Sequence, residues 1–299
     1  MRLAVTGREG QVVRSLIERA AGSEIEIVTL GRPAFDLAGR AEDIMAAIEA
    51  ARPDGIVSAA AYTQVDRAES EPDVAFAVNC DGPRAVAEAA ATLAVPLIHL
   101  STDYVFDGTS AKPYTEDDAT NPTGVYGASK LAGEQAVLDA HDNSAVLRTA
   151  WVYSPFGANF VKTMLRLAES RDEVGVVGDQ YGNPTSALDL ADAVIAVAQH
   201  LAEGSDARHR GIFHATGDGD ATWAGLAETV FAASAAHGGP SARVKHITTA
   251  DYPTPARRPY NSRLDCTALF ERHGVRLPDW RISAAAVTAR LLHEKKIAA

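Results

Sequence analysis

The chain has 299 residues and a formal net charge of −11, with an isoelectric point near 5.3. So acidic a chain excludes nucleic acid as the main partner, because that task needs a basic face. With 46% hydrophobic and 22% charged residues it has an ordinary globular balance and is long enough to bury its own core.

In chain order, the first half alternates strand and helix. RLAVT (2–6) is a short apolar run ending at Gly7, and QVVRSLIERA (11–20) places apolar residues at helical spacing. EIEIVTL (24–30) alternates as a strand does, AEDIMAAIEAA (41–51) is helical, and GIVSAAA (55–61) reads as a buried strand running into small residues. A long helical stretch follows over 72–94, then a strand over 95–102, a helix over 126–140 and a strand over 144–151. Strands separated by helical patterns predict an α/β fold: a Rossmann-type doubly wound parallel sheet with helices on both faces. Beyond 151 the rhythm loosens. Helices are expected at 159–170, 186–201 and 222–236, with loops at 178–186 and 251–263 and a surface loop at 202–211. The division expected is a dinucleotide-binding domain over 1–150, joined by later segments that cross back. Residues 151–299 would form mainly a smaller C-terminal substrate lobe. No run is apolar enough to span a membrane, and the N-terminus enters a strand directly, so a cytoplasmic protein is expected. Cys80 and Cys266 form no CxxC and no metal spacing; neither a disulfide framework nor a metal site is expected.

TGREGQVV (6–13) follows a strand and opens a helix, the context that gives a glycine loop meaning. Gly7 permits a tight turn, and Gly10 lets backbone approach a pyrophosphate at the helix N-terminus. Val13 stands where a third glycine would serve helix–strand packing. On these residues alone a cofactor loop and a plain strand-to-helix turn both remain open. The second strand ends in Gly31 and Arg32 rather than in an acid, which favours a ribose 2′-phosphate and so NADPH, with NADH possible. YGASK (126–130) sets Tyr126 and Lys130 four residues apart on one helix face. A phenol ionises near pH ~10, and a neighbouring ammonium would lower that value. HLSTDYVFDG (99–108) ends a strand with Ser101, Thr102 and Asp103, where ligands of parallel sheets bind and hydroxyls can stabilise a developing oxyanion.

With these motifs in this order, the chain resembles the extended short-chain dehydrogenase/reductases, and within them the dTDP-4-dehydrorhamnose reductases. The resemblance also rests on RPDGIVSAAAYTQVDRAESEP (52–72), RTAWVY (148–153), NFVKTMLRLA (159–168), GDQYGNPT (178–185) and YPTPARRPYNSRLD (252–265), which extend it nearly end to end. It implies that Gly7, Gly10, Gln11 and Val12 hold the cofactor pyrophosphate and that Asp36 and Leu37 lie by the adenine. Ala59, Ala60, Ala61 and Leu100 would line the rest of the dinucleotide. Tyr126 would be the general acid. Lys130 would lower its pKa and hold the nicotinamide ribose. Thr102 and Asp103 would meet the sugar, Trp151 would line its pocket, and Arg257 and Arg258 would face the diphosphate of a dTDP-sugar. The implied reaction is NAD(P)H-dependent reduction of a C4 ketone to give dTDP-L-rhamnose.

Some relatives bridge subunits with Mg²⁺ through acidic residues at positions matching Ser15, Leu188 and Arg290, none of which is a carboxylate. A hard cation wants oxygen ligands, so a monomer or a metal-independent homodimer is expected. Three other readings use a similar scaffold: a reductase giving the C4 epimer, a non-catalytic NADP-binding regulatory subunit, and a transcriptional sensor. Retention of Tyr126, Lys130 and Thr102 disfavours the second, and the charge of −11 disfavours the third.

Overall fold

The computed structural model describes residues 1–204 and 206–298, with side chains through residue 295. Six strands form one parallel sheet. They are β1 (Arg2–Thr6), β2 (Glu26–Leu30), β3 (Gly55–Ser58), β4 (Leu97–Thr102), β5 (Ser144–Thr149) and Gly211–His214. The order across the sheet is Gly211–His214, β5, β4, β3, β1, β2. The order reverses between β1 and β3, so a crevice opens there beyond the carboxyl ends. Each strand is apolar on both faces because helices cover both. On one face α1 (Gln11–Ala20) and helix Ala187–Glu203 pack Val13, Leu16, Leu190, Val194 and Val197 against Leu3, Val5 and Leu147. On the other, α2 (Ala41–Ala51) and helix Gly82–Leu93 bring Ile44, Ile48, Val86 and Ala90 onto Ala4, Ile56 and Val146.

A third cluster, with Tyr153, Val161, Met164, Val176, Leu226, Phe231 and Trp280, forms a small lobe. Helices Phe160–Ala168, Trp223–Ala236 and Trp280–Ala298 pack there around the parallel strand pair Glu173–Val177 and Arg243–Ile247. Gly211–His214, this pair and helix Thr267–His273 were not expected from the sequence. The expected surface loop 202–211 begins inside helix Ala187–Glu203 and ends at the edge strand; Ser205 lies outside the described residues. Strand 55–61 stops at Ser58, and the alanines turn away from the sheet. The expected helix 72–94 is interrupted by a π turn at Ala77–Asp81. There Asn79, fully buried, accepts from Tyr62 N at 2.8 Å and donates to Ser129 Oγ at 3.0 Å. The extra residue of the π turn thus aims an amide at the crevice wall. Among the described residues, no helix is long and apolar enough to cross a membrane.

Candidate active site

A cavity of about 610 Å³ lies beyond the carboxyl ends of β1, β3, β4 and β5. Its floor is the opening loop. Gly7 has φ +102, and a Cβ there would stand 3.2 Å from Val13 Cγ2 and 3.5 Å from Ala60 Cβ. Val13, 2% exposed, fills the space beneath Gly7, so the turn closes on a valine without a third glycine. Gly10 offers α1 no side-chain cap, which leaves its first N–H groups to an anion. Thr6 Oγ1 accepts from Ala59 N and Ala60 N, each at 2.9 Å, and so sets where residues 59–61 leave the sheet. The Gln11 carboxamide is already committed. It donates to Val152 O at 3.2 Å and accepts from Ser154 Oγ at 2.8 Å and Asn159 Nδ2 at 3.1 Å. Its backbone N–H, at the start of α1, stays open to a phosphate. Val12 also lines the cavity.

A hollow of about 360 Å³ continues from Gly7, Ala60 and Ala61 to Gly31, Arg32, Asp36 and Leu37. Arg32 is exposed and 3.7 Å from Asp36. Arg8 lines the same hollow, its Cγ 2.9 Å from where a Cβ on Gly31 would stand. The sequence reading passed over Arg8, although it sits between the glycines of the loop.

At the other end the acid–base groups converge. Helix Val125–Ala140 carries Tyr126 and Lys130. Gly127 and Gly133 let it come close: Cβ atoms there would lie 2.2 Å from Tyr104 O and 2.0 Å from Asn79 O. Tyr126, Lys130, Leu100, Thr102 and Asp103 all line the large cavity. Burial pushes the Tyr126 phenol above its ordinary value, with the Thr102 hydroxyl opposing and Asp103 adding to the rise. Lys130, expected to lower the phenol, does not figure among the groups acting on it, and burial dominates. The Lys130 ammonium donates to Leu100 O at 2.7 Å and lies 3.3 Å from His99 Nε2. Burial brings Lys130 down to about 8, against the pull of Glu134. Burial also pushes His99 well below its usual value, Lys130 adding to it, so its ring stays neutral beside the lysine. Behind this row, Glu134 accepts from Ser101 Oγ and from Arg148, both charged side chains being 2% exposed.

Thr102 donates to Asp103 Oδ1 at 3.0 Å, while Asp103 Oδ2 is buried without a partner. Burial raises the Asp103 carboxyl to about 6, and hydrogen bonds, that of the Thr102 hydroxyl among them, hold it from rising further. The fold therefore disfavours ionised Asp103 relative to the unfolded chain. Asp103 lowers stability as pH rises from its ordinary value of 3.8 to about 6, and the whole deficit remains above that. Asp103→Asn is expected to raise stability at pH 8 by on the order of 2 kcal/mol, with the gain fading towards pH 4. Thermal melts of both proteins across that range test this; a gain independent of pH would count against it.

The wall continues through Trp151, whose backbone is left-handed at φ +49. Its indole stacks on Trp223 at 3.6 Å and 6°. Trp223 also lines a neighbouring pocket of about 480 Å³ with Phe160, Met164, Tyr104 and Arg258. Tyr104 belongs to both cavities. Arg258 donates to Tyr104 Oη at 3.0 Å and to Asp66 Oδ2 at 2.7 Å. The two adjacent arginines part: Arg257 is exposed on an outer groove of about 830 Å³, and only Arg258 also reaches the inner pocket. That groove is larger than either inner pocket, yet it contains neither Tyr126 nor Lys130. Ser15, Leu188 and Arg290 bring no carboxylate together. Arg290 pairs with Glu18 at 2.6 Å, and Arg19 spans Asp189 and Asp192 at 3.9 and 3.3 Å.

Comparison with known proteins bears on the family and the fold. Residues 1–293 match the family described as the RmlD substrate binding domain. The chain is 54% identical to a dTDP-4-dehydrorhamnose reductase of Sinorhizobium fredii, over 99% of each chain. Among solved structures, a dTDP-4-dehydrorhamnose reductase of Clostridium acetobutylicum is 33% identical with a TM-score of 0.91, covering 98% of this chain and 100% of that one. One from Bacillus anthracis, in complex with NADP, is 31% identical with a TM-score of 0.89, covering 97% and 99%.

Proposed function

The chain belongs to the RmlD substrate binding domain family, and from that premise we propose that it reduces the C4 ketone of dTDP-4-dehydrorhamnose with NADPH, giving dTDP-L-rhamnose. The observation that carries this reading is the meeting of Thr102, Asp103, Tyr126 and Lys130 in one cavity with the glycine loop. The residues fit the dinucleotide: a cradle that a Cβ at Gly7 would fill, an uncapped helix N-terminus, three small alanines and two guanidinium groups at the far end.

When bound, the dihydronicotinamide supplies a hydride to the ketone carbon. The chain's own residues do the rest. Buried Tyr126, held above its ordinary pKa, remains protonated and can give its proton to the ketone oxygen as charge develops. Thr102 can donate a second hydrogen bond to the same oxygen. Lys130, held by Leu100 O, would hold ribose hydroxyls and stabilise the phenolate left behind. Asp103, with an unpartnered oxygen, can accept from a sugar hydroxyl. Trp151 would line the sugar pocket. Arg258 would meet the diphosphate, with the pocket of Phe160 and Trp223 taking the nucleoside, and Arg257 would reach the same tail only from the groove outside. Binding of the remote nucleotide orients the ring for transfer. The test is consumption of NADPH with enzymatically generated substrate and identification of the sugar by NMR. The C4 epimer as product would overturn the stereochemistry, and binding of NADPH without turnover would favour a regulatory subunit.

Cofactor choice follows from Arg32. Its charge at the end of the second strand would meet a 2′-phosphate, and Arg8 shares the hollow. Arg32→Ala is expected to raise KM for NADPH about tenfold and leave that for NADH nearly unchanged, the size of one charge-assisted hydrogen bond. Equal changes in both constants would remove Arg32 from cofactor choice. The protein would act in the cytoplasm, as a monomer or as a homodimer formed without metal.

A further inference from the structure

Three imidazoles meet at the end of the sheet opposite the crevice. His200 lies in the last turn of helix Ala187–Glu203 and His273 ends helix Thr267–His273. His209 closes a short 3₁₀ turn two residues ahead of the edge strand Gly211–His214. That strand runs parallel to β5, so its amino end faces away from the carboxyl-end cavity. The three rings stack pairwise with centroids 4.9–5.4 Å apart, and each offers a nitrogen within 4.8 Å of the other two. Among the described residues, this is the one group of three or more His, Cys, Asp or Glu side chains so arranged.

We propose that His200, His209 and His273 form a site for a borderline divalent metal ion, zinc above all, with water completing a tetrahedron. Geometry, chemistry and polar accounting each support it. Nitrogens ~2.0–2.1 Å from a tetrahedral zinc lie roughly 3.3–3.4 Å apart. The Nδ1 atoms of His200 and His273 already stand 3.2 Å apart, and side-chain rotation of the half-buried His209 closes the remainder. An all-imidazole set selects zinc, nickel or copper over magnesium or calcium, which want oxygen. One ring nitrogen, His209 Nδ1, is buried without a hydrogen-bond partner. Such atoms are rare in native proteins, and a metal would give it a partner. The bound ion would tie two helix ends to the edge strand; it is structural and remote from Tyr126. The three positions span 74 residues of sequence, which is why spacing did not disclose them.

The test uses untagged full-length protein freed of metal by a chelator and titrated with zinc chloride by calorimetry, with cobalt(II) as a spectroscopic probe. One ion per chain is expected, with tetrahedral cobalt absorption and a melting temperature that rises with zinc. His209→Ala and His200→Ala, both at half-buried positions, should each weaken binding at least thirtyfold and abolish the zinc-dependent rise, with reductase turnover unchanged. Absence of saturable binding, or binding unchanged in both variants, overturns the proposal. Octahedral cobalt spectra at full occupancy would also overturn it.

Discussion

Tyr126→Phe is expected to lower kcat by about 10²–10⁴-fold, the range for loss of a positioned proton donor. The change deletes one oxygen and keeps the ring, whose edge packs on Tyr104 with centroids 5.7 Å apart. The helix that carries it is anchored elsewhere, by Asn79 on Ser129 and by the close approaches at Gly127 and Gly133. Melting temperature and NADPH affinity should therefore stay near those of the unaltered protein, which separates lost chemistry from lost structure. Steady-state rates give kcat, and fluorescence titration gives cofactor affinity. A loss below about tenfold would transfer the donor role to another group, with the Thr102 hydroxyl next in place.

The second large effect lies one layer behind. Glu134→Gln is expected to cost about 3–5 kcal/mol of stability, because it leaves Arg148 charged and buried without its counter-ion. The pair is bidentate: Arg148 Nε and Nη2 reach Glu134 at 3.0 and 2.7 Å, and its guanidinium sits 5.1 Å over Phe106. Arg148 Nη1 already lacks a partner, so the arginine has no alternative acceptor in place. A melting temperature lower by roughly 10 °C is the corresponding shift. The double change Glu134→Leu with Arg148→Met should recover most of the loss, since two apolar side chains replace two buried charges. Urea unfolding of the three variants decides this; a loss below about 1 kcal/mol in the single variant would mean that water reaches the arginine. Kinetics add a second readout: Ser101 loses a charged acceptor and Lys130 a charge that favours its protonated form.

The sheet was legible because each core strand is a local apolar run, and the helices between them repeat at helical spacing. Tyr126, Lys130, Thr102 and Asp103 were legible for the same reason, since a strand end and a helix start are marked within a few residues. What escaped depends on distant partners. Glu173–Val177 and Arg243–Ile247 pair across 70 residues, and neither alternates strongly enough to stand out alone. The π turn at Ala77–Asp81 exists to place Asn79 against Tyr62 and Ser129. Trp223 reads as an ordinary helix start until it is found stacked on Trp151. Val13 breaks the glycine pattern, and only its burial under Gly7 shows why the loop survives the change. Helical spacing places Tyr126 and Lys130 on one face without fixing where either tip points, and burial governs the phenol instead.

The sheet takes its sixth strand, and α1 takes its packing partner, from the second half of the chain. Helix Ala187–Glu203 supplies Leu190, Val194 and Val197 to the core beneath β1 and β5, and Gly211–His214 covers the open edge of β5. A cut after residue 150 would therefore leave one flank of the sheet greasy and one ladder of backbone groups unpaired, the usual recipe for aggregation. The first half of the chain is not a cassette that can be lifted out and fused to another second half. New specificity in this architecture has to come by altering loops and pocket walls in place, because exchange of whole halves would break a core to which both contribute.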